Sequence, residues 1–191
     1  DCLHRGQQKL IGRVKELAAE EIQSVVCAFD MGRKSLLTKE ERKERLEQEV
    51  DCFIACPFTK EIREMEAEQF ILQILAEKFH AAVVVVGEDF QFGHEKRGDV
   101  VMLEKYAAQC GYQLEVVKKE MYEGREISST YVREALAEGN VTLANNLLGY
   151  LYGTEGVVEH GHQLGRTLGF PTMNIAWDEH KIAPKFGVYA C

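Results

Sequence analysis

The chain has 191 residues, enough for one large or two small domains, and 46% of them are hydrophobic, which is ample for a core. Its formal charge of -8, from 31 acidic against 23 basic residues, argues against nucleic acid as the main partner, because binding a phosphate backbone needs a basic surface. The longest wholly apolar run, 81–86, falls far short of the roughly 20 residues that cross a bilayer, and no signal-like N-terminus is present, so a cytosolic protein is expected.

The segment Asp1-Cys-Leu-His4-Arg-Gly6-Gln7 leads straight into a helix expected over 7–19, which puts His4 and Gly6 at a strand-to-helix turn. In open α/β sheets such a turn borders the crevice where ligands bind. Gly6 lets backbone approach a phosphate, and His4 is placed to donate to the charge that develops on it. The bland reading of the same residues is a capping loop with an exposed histidine.

Strands are expected over 24–29, 52–56, 81–87 and 114–117, short runs rich in Val, Ile and Phe of the kind buried on both faces. Amphipathic helices over 39–48, 67–79 and 100–110 lie between them, and this alternation builds βαβ units and a parallel sheet. Val86-Gly-Glu-Asp-Phe-Gln-Phe-Gly93 follows the third strand, so Asp89, Phe90 and Phe92 leave the sheet edge close to the crevice. Asp89 suits polar contacts there and an aromatic suits ring packing. Equally, Phe90 and Phe92 fill core beneath a turn made by Gly87 and Gly93, or one ring does each job.

Ile127-Ser-Ser-Thr-Tyr-Val-Arg133 opens a helix over 129–138. Ser128, Ser129 and Thr130 put hydroxyls and unpaired backbone N–H groups at its start, and Arg133 is expected within the first turn, in reach of the same anion. Gly139 stops that helix, Asn140 caps a short second one, and Gly149 ends it, which sets a boundary between domains at 1–149 and 150–191.

Past the boundary, Gly153, Gly156, Gly161, Gly165 and Gly169 punctuate short segments without helical period, as at the start of an all-β domain. Within it, Gly165-Arg-Thr-Leu-Gly-Phe-Pro-Thr-Met-Asn174 spaces Gly165 and Gly169 around Arg166 and ends in Thr172 and Asn174, whose oxygens suit a phosphate-bound hard cation. The plain alternative is a β-turn with a Pro-rigidified strand start. The chain begins without Met and stops within the strand-like Val188-Tyr-Ala-Cys191, so material is expected beyond both ends.

The six cysteines, Cys2, Cys27, Cys52, Cys56, Cys110 and Cys191, include no Cys-x-x-Cys pair and read as small reduced core residues. His160-Gly-His162 lacks an obvious third ligand, and the charged run 39–45 is a solvated helix face. Neither is assigned a function.

Taken in order, Asp-x-x-His-x-Gly, Val-Val-Gly-Glu-Asp-Phe-x-Phe-Gly, Ile-Ser-Ser-Thr-x-x-Arg and Gly-Arg-x-Leu-Gly-Phe-Pro-Thr-x-Asn resemble the bacterial bifunctional riboflavin kinase / FAD synthetase family over nearly the whole chain. The third motif belongs to the wider nucleotidyltransferase superfamily, whereas the fourth is specific to flavokinases. The resemblance implies a Rossmann-like nucleotidyltransferase domain with a parallel sheet, followed by the first part of an antiparallel β-barrel flavokinase domain.

It further implies transfer of AMP from ATP to FMN, giving FAD and pyrophosphate, by a monomer or weak homo-oligomer. His4 and Arg133 would steady the triphosphate, Gly6, Gln7, Ser128, Ser129 and Thr130 would line the ATP site, and Asp89, Phe90 and Phe92 would border the flavin. In the second domain Gly165, Arg166 and Gly169 would cover ATP phosphates, with Thr172 and Asn174 on Mg²⁺. The acidic residue that activates the riboflavin hydroxyl in such kinases would lie beyond Cys191, so this stretch is not expected to phosphorylate riboflavin.

Two positions depart from the family pattern. Its His-x-Gly-His reads His4-Arg-Gly6-Gln7 here, and Cys2 stands where a Gly normally follows the leading Asp. Gln7 cannot carry charge, and charge-assisted bonds to phosphate are about twice as strong as neutral ones. The rival expectation is therefore a nucleotide- or flavin-binding protein with impaired turnover, unless Arg5 supplies the missing charge. A third is another small-molecule adenylyltransferase, against which the segment 165–174 counts.

Overall fold

A computed structural model describes residues 2–30, 32, 34–161 and 164–189. Asp1, His162 and Cys191, which entered the sequence reading, lie outside the described residues.

Helix α1 (Arg5–Leu17) starts two residues earlier than expected because His4 caps it, and strand β1 (Val25–Asp30) follows. Helix α2 (Lys39–Glu47) opens on a reciprocal cap in which the Thr38 hydroxyl accepts from the Glu41 N–H and the Glu41 carboxylate accepts from the Thr38 N–H. Strand β2 (Cys52–Pro57) then pairs with β1 in parallel, from Val25 opposite Cys52 to Asp30 opposite Pro57.

After the short α3 (Lys60–Glu64), helix α4 (Ala67–Gln69) runs on as a π-helical stretch, Phe70–Lys78, into strand β3 (Val83–Gly87). Helix α5 (Val100–Cys110), capped by the Asp99 carboxylate, leads to β4 (Gln113–Val117), which pairs with β3 in parallel. A hairpin of β5 (Met121–Tyr122) and β6 (Arg125–Glu126) delivers the chain to α6 (Ser129–Glu138) and α7 (Val141–Leu148). Gly139 joins these two helices at φ 82°, a left-handed conformation that a side chain resists.

The expected strands and their parallel sense are present, but they form two separate pairs, β1–β2 and β3–β4, in place of one continuous sheet. Helix α1 contacts β3 while α2 contacts β2, and no ladder bonds join the two pairs among the described residues. Three apolar clusters fill the space around them. One unites Cys2, Leu36, Ile127, Val132, Leu136 and Leu147; a second packs Ile71, Val84, Val86, Phe92 and Leu103; a smaller one joins Ile11 to Leu46 and Val50.

The stretch from 150 differs from the expected all-β texture. It holds β7 (Val158–Glu159) antiparallel to β8 (Asn174–Ile175), with a one-turn helix α8 (Leu164–Thr167) between them. Its residues 180–182 lie beside Ser35, whose N–H donates to the His180 carbonyl and whose carbonyl accepts from the Ile182 N–H, both at 2.9 Å. The Lys181 ammonium, 2% exposed, is buried against the Glu41 carboxylate and the Gly153 carbonyl. No helix among the described residues is long and apolar enough to cross a membrane.

Candidate functional site

Two helix starts, far apart in sequence, meet in space. At the first, His4 is half-buried and caps α1. Its Nδ1 accepts from the Gln7 N–H at 3.3 Å, while the Gln7 Oε1 accepts from the His4 N–H at 3.3 Å. Burial lowers the imidazole pKa to about 4, because a charged ring loses solvation there. His4 is therefore neutral near pH 7.

Gly6 lies against the His4 ring. A Cβ at this position would stand 3.2 Å from the His4 ring and 3.7 Å from the Ile127 carbonyl. The missing side chain leaves room for the imidazole.

At the second start, Ser128 is the cap: its Oγ accepts from the Tyr131 N–H at 3.2 Å. The N–H groups of Ser129 and Thr130 have no intrahelical acceptor, and they sit at the positive end of the α6 dipole. Ser129 Oγ is 3.6 Å from Cys2 Sγ, and Thr130 is exposed. Cys2 is fully buried, and burial raises its thiol pKa, so it serves as a neutral spacer between the two helix starts.

Arg133 stands in the second turn of α6, not the first, since the helix begins at Ser129. It is four residues from Ser129 and so shares its face, and helical side chains lean toward the N-terminus. Its Nη2 donates to the Lys34 carbonyl at 3.2 Å, which ties it to the loop between β1 and α2. Arg5, considered above as a substitute for the charge absent at Gln7, instead pairs with Glu120 at 3.1 Å.

The loop after β3 divides its two aromatics. Phe92 is buried, and its backbone exchanges two hydrogen bonds with Gly98, where a Cβ would come within 2.7 Å of the Phe92 ring. Phe90, half-buried, stacks on Phe92 with ring centroids 5.5 Å apart. Asp89 is exposed and pairs with Lys119 at 3.1 Å; the same ammonium binds Glu126 at 2.6 Å, two residues before the Ser128 cap. Lys119, which the sequence reading passed over, thereby links the β3 loop to the α6 start. Only its position just after β4 hinted at this.

The segment 165–174 begins within a turn of helix. Gly165 and Arg166 belong to α8, and Gly169 follows it at φ 84°, with its N–H on the Arg166 carbonyl. The turn is tight: the Phe170 N–H donates to the Gly165 carbonyl at 2.8 Å, and a Cβ on Gly165 would lie 2.3 Å from the Phe170 carbonyl oxygen. Thr172 and Asn174 are exposed, and Asn174 reaches back over Gly161. Of these residues, Thr172 lies beside Gly165. No group of three or more His, Cys, Asp or Glu side chains placed to hold a metal occurs among the described residues. One hydroxyl and one amide oxygen are hard donors, which fit a cation that brings phosphate and water oxygens of its own.

Comparison with known proteins adds five matches. The family described as FAD synthetase matches residues 1–131, and that described as riboflavin kinase matches 148–191. A curated protein of Listeria monocytogenes, named bifunctional riboflavin kinase/FMN adenylyltransferase, is 34% identical over 203 residues, and one of the same name from Escherichia coli K12 is 32% identical over 202. Each match covers 100% of this chain and 64% of the relative, so the chain spans somewhat under two thirds of their length. A solved structure from Streptococcus pneumoniae, described as a macrolide-efflux protein, superposes with a TM-score of 0.87 at 28% identity, covering 99% of this chain and 65% of the other.

Proposed function

The chain belongs to the FAD synthetase family, and we propose that its residues 1–149 transfer AMP from ATP to FMN, giving FAD and pyrophosphate. The observation that carries this is the meeting of the α1 and α6 starts across Cys2 and Ser129, with His4 on one side and Arg133 on the other.

An FMN phosphate oxygen attacks the α-phosphorus of ATP; the new P–O bond forms as the bond to the β-phosphate breaks and pyrophosphate departs. Such a transfer needs alignment and charge stabilisation more than acid–base chemistry. The Ser129 and Thr130 N–H groups and hydroxyls hold the leaving phosphates on the helix dipole. Arg133 supplies the fixed positive charge, and His4 a donor hydrogen. On the flavin side, Phe90 offers a ring face backed by the buried Phe92, and Asp89 offers polar contacts at the loop tip.

Residues 150–191 make up the first part of a riboflavin kinase domain in this reading. There Gly165, Arg166 and Gly169 would contact ATP phosphates, and Thr172 and Asn174 would hold Mg²⁺, which supplies charge neutralisation to those phosphates when bound. The binding-only alternative rested on Gln7. Its amide is engaged in capping α1 and orienting His4, which gives Gln7 a part in the site and favours turnover over a relic.

The test is incubation of the chain with FMN and MgATP, following FAD and pyrophosphate. Stoichiometric appearance of both supports the assignment. Binding of FMN and ATP by calorimetry without product would reduce it to a binding protein.

A further inference from the structure

Cys27 and Cys56, 29 residues apart in the chain, lie with their sulfurs 3.1 Å from each other. The strand register brings them together. Cys27 stands opposite Ile54 and Cys56 opposite Phe29, so the two cysteines are diagonal neighbours on one face of the β1–β2 pair. Both are half-buried free thiols, and Ala55 and Pro57, on either side of Cys56, are exposed. We propose that Cys27 and Cys56 form a reversible dithiol–disulfide site, oxidised by a low-molecular-weight disulfide and returned to the dithiol by the matching thiol. The site is separate from the transfer reaction proposed above and does not depend on it.

Burial raises the Cys27 thiol pKa, and the contact with Cys56 adds to the rise, so Cys27 is protonated near neutral pH. The first attack therefore falls to Cys56. Its thiolate attacks one sulfur of the small disulfide, a mixed disulfide forms on Cys56, and one small thiol leaves with the proton that Cys56 has lost. Cys27 then attacks the Cys56 sulfur. The Cys27–Cys56 bond forms, the second small thiol departs with the Cys27 proton, and two electrons have passed from the protein to the oxidant. Because the two sulfurs are already in contact, this second step is unimolecular and outpaces attack by a thiol from solution.

The diagonal setting decides how tight the bridge is. Diagonal Cα atoms across a ladder are about 7–8 Å apart, whereas a relaxed disulfide spans about 5.5–6 Å, so closing the bond draws the strands together. Strand β2 has room to respond, because β1 is its one ladder partner among the described residues. The movement falls where Phe29, opposite Cys56, packs on Phe58 and Phe70 with ring centroids 5.9 and 6.4 Å away. A bridge that strains its strands is easily reduced, which suits a site that cycles between two states and not a permanent staple.

The test incubates the full chain with glutathione disulfide, quenches it with acid, blocks the remaining thiols with N-ethylmaleimide and maps the peptides by mass spectrometry, with fragmentation to tell Cys56 from Cys52. A Cys27–Cys56 cross-link is expected in the folded chain, and it should disappear in excess reduced glutathione. Cys27→Ser should stop with glutathione on Cys56, while Cys56→Ser should leave Cys27 unmodified. Cys2, fully buried, should stay unmodified in the same samples and so report that the chain is folded. A cross-link that forms only in urea overturns the proposal, as does a wild-type chain that carries glutathione on Cys56 without the cross-link, a bond from Cys27 to Cys52, or a bridge that resists reduced glutathione. These readouts use neither ATP nor FMN, so a failure to form FAD would remove the proposed activity and leave the cysteine result standing.

Discussion

Cys2 and Ser129 are 127 residues apart in the chain, yet Cys2 Sγ lies 3.6 Å from Ser129 Oγ. This contact brings the two helix starts together. Because Cys2 is fully buried and its thiol is held neutral, iodoacetamide at pH 8 should spare it in the native protein and modify it on unfolding, as peptide mass mapping would read. Cys2→Ala should cost about 1–2 kcal/mol in urea unfolding through the cavity it leaves. Native-state alkylation at the rate of a free thiol would contradict the packing.

The depressed His4 pKa makes stability depend on pH. Between about 4 and 6.5 the unfolded chain binds more protons at this residue than the folded one, so its contribution is complete above 6.5 and is lost as pH falls through about 4. The loss is on the order of 3 kcal/mol at most. His4→Asn keeps a capping side chain and removes the titration, so its melting temperature should be flatter across this window while FAD formation falls about 10²-fold or more.

With Arg133 as the fixed charge proposed above, Arg133→Ala should lower FAD formation by at least about 10²-fold with little change in melting temperature. Arg133→Lys should recover only part of it, because an ammonium cannot reproduce the planar fork of donors. FAD formation at the wild-type rate in Arg133→Ala would show that the guanidinium takes no part in the transfer.

The Phe90–Phe92 stack depends on the absence of a side chain at Gly98. A methyl there would meet the Phe92 ring at 2.7 Å and Ala67 Cβ at 2.8 Å, so Gly98→Ala should destabilise by about 1–3 kcal/mol in urea unfolding. Gly12→Ala is the contrasting case. It lies inside α1 with nothing within 4 Å of the new methyl, and should stabilise by about 0.5–1 kcal/mol.

Lys181 fastens the C-terminal stretch to α2. Lys181→Met leaves the Gly153 carbonyl unpaired and the Glu41 carboxylate with only its Thr38 N–H bond, at a cost of about 1–3 kcal/mol, and should speed chymotryptic cleavage between 150 and 180. Adding Glu41→Gln to that variant should restore part of the stability. Unchanged cleavage in Lys181→Met would show that other contacts hold this stretch.

Most elements of the first 149 residues were legible because their local signals agree with the fold. The runs of Val, Ile and Phe in β1 to β4, the Ser128 and Asn140 helix starts, and Gly139 and Gly149 just past their helices all act within a few residues. Less was legible where the outcome depends on distant partners. The hairpin β5–β6, the separation of the strands into two pairs, and the turn of helix over Leu164–Thr167 inside a Gly-rich segment carried no periodic signature. The same division runs through the site. Gly6 was singled out for its reach to a ligand, and the structure shows the His4 ring beside it; Arg5 and Lys119 were settled by ion pairs to residues that only folding brings near.

The sequence by itself determined which groups are available: an imidazole at a helix start, hydroxyls at another, a guanidinium four residues beyond Ser129, and the family those motifs denote. Residue type and near-neighbour spacing set capping, helical phase and charge, and these need no long-range information. Only the tertiary structure decided that the two starts face each other across Cys2, that Gln7 closes a box on His4, and that burial keeps the imidazole neutral. Those are properties of solvent exclusion and of contact between segments more than a hundred residues apart, and no local pattern encodes them.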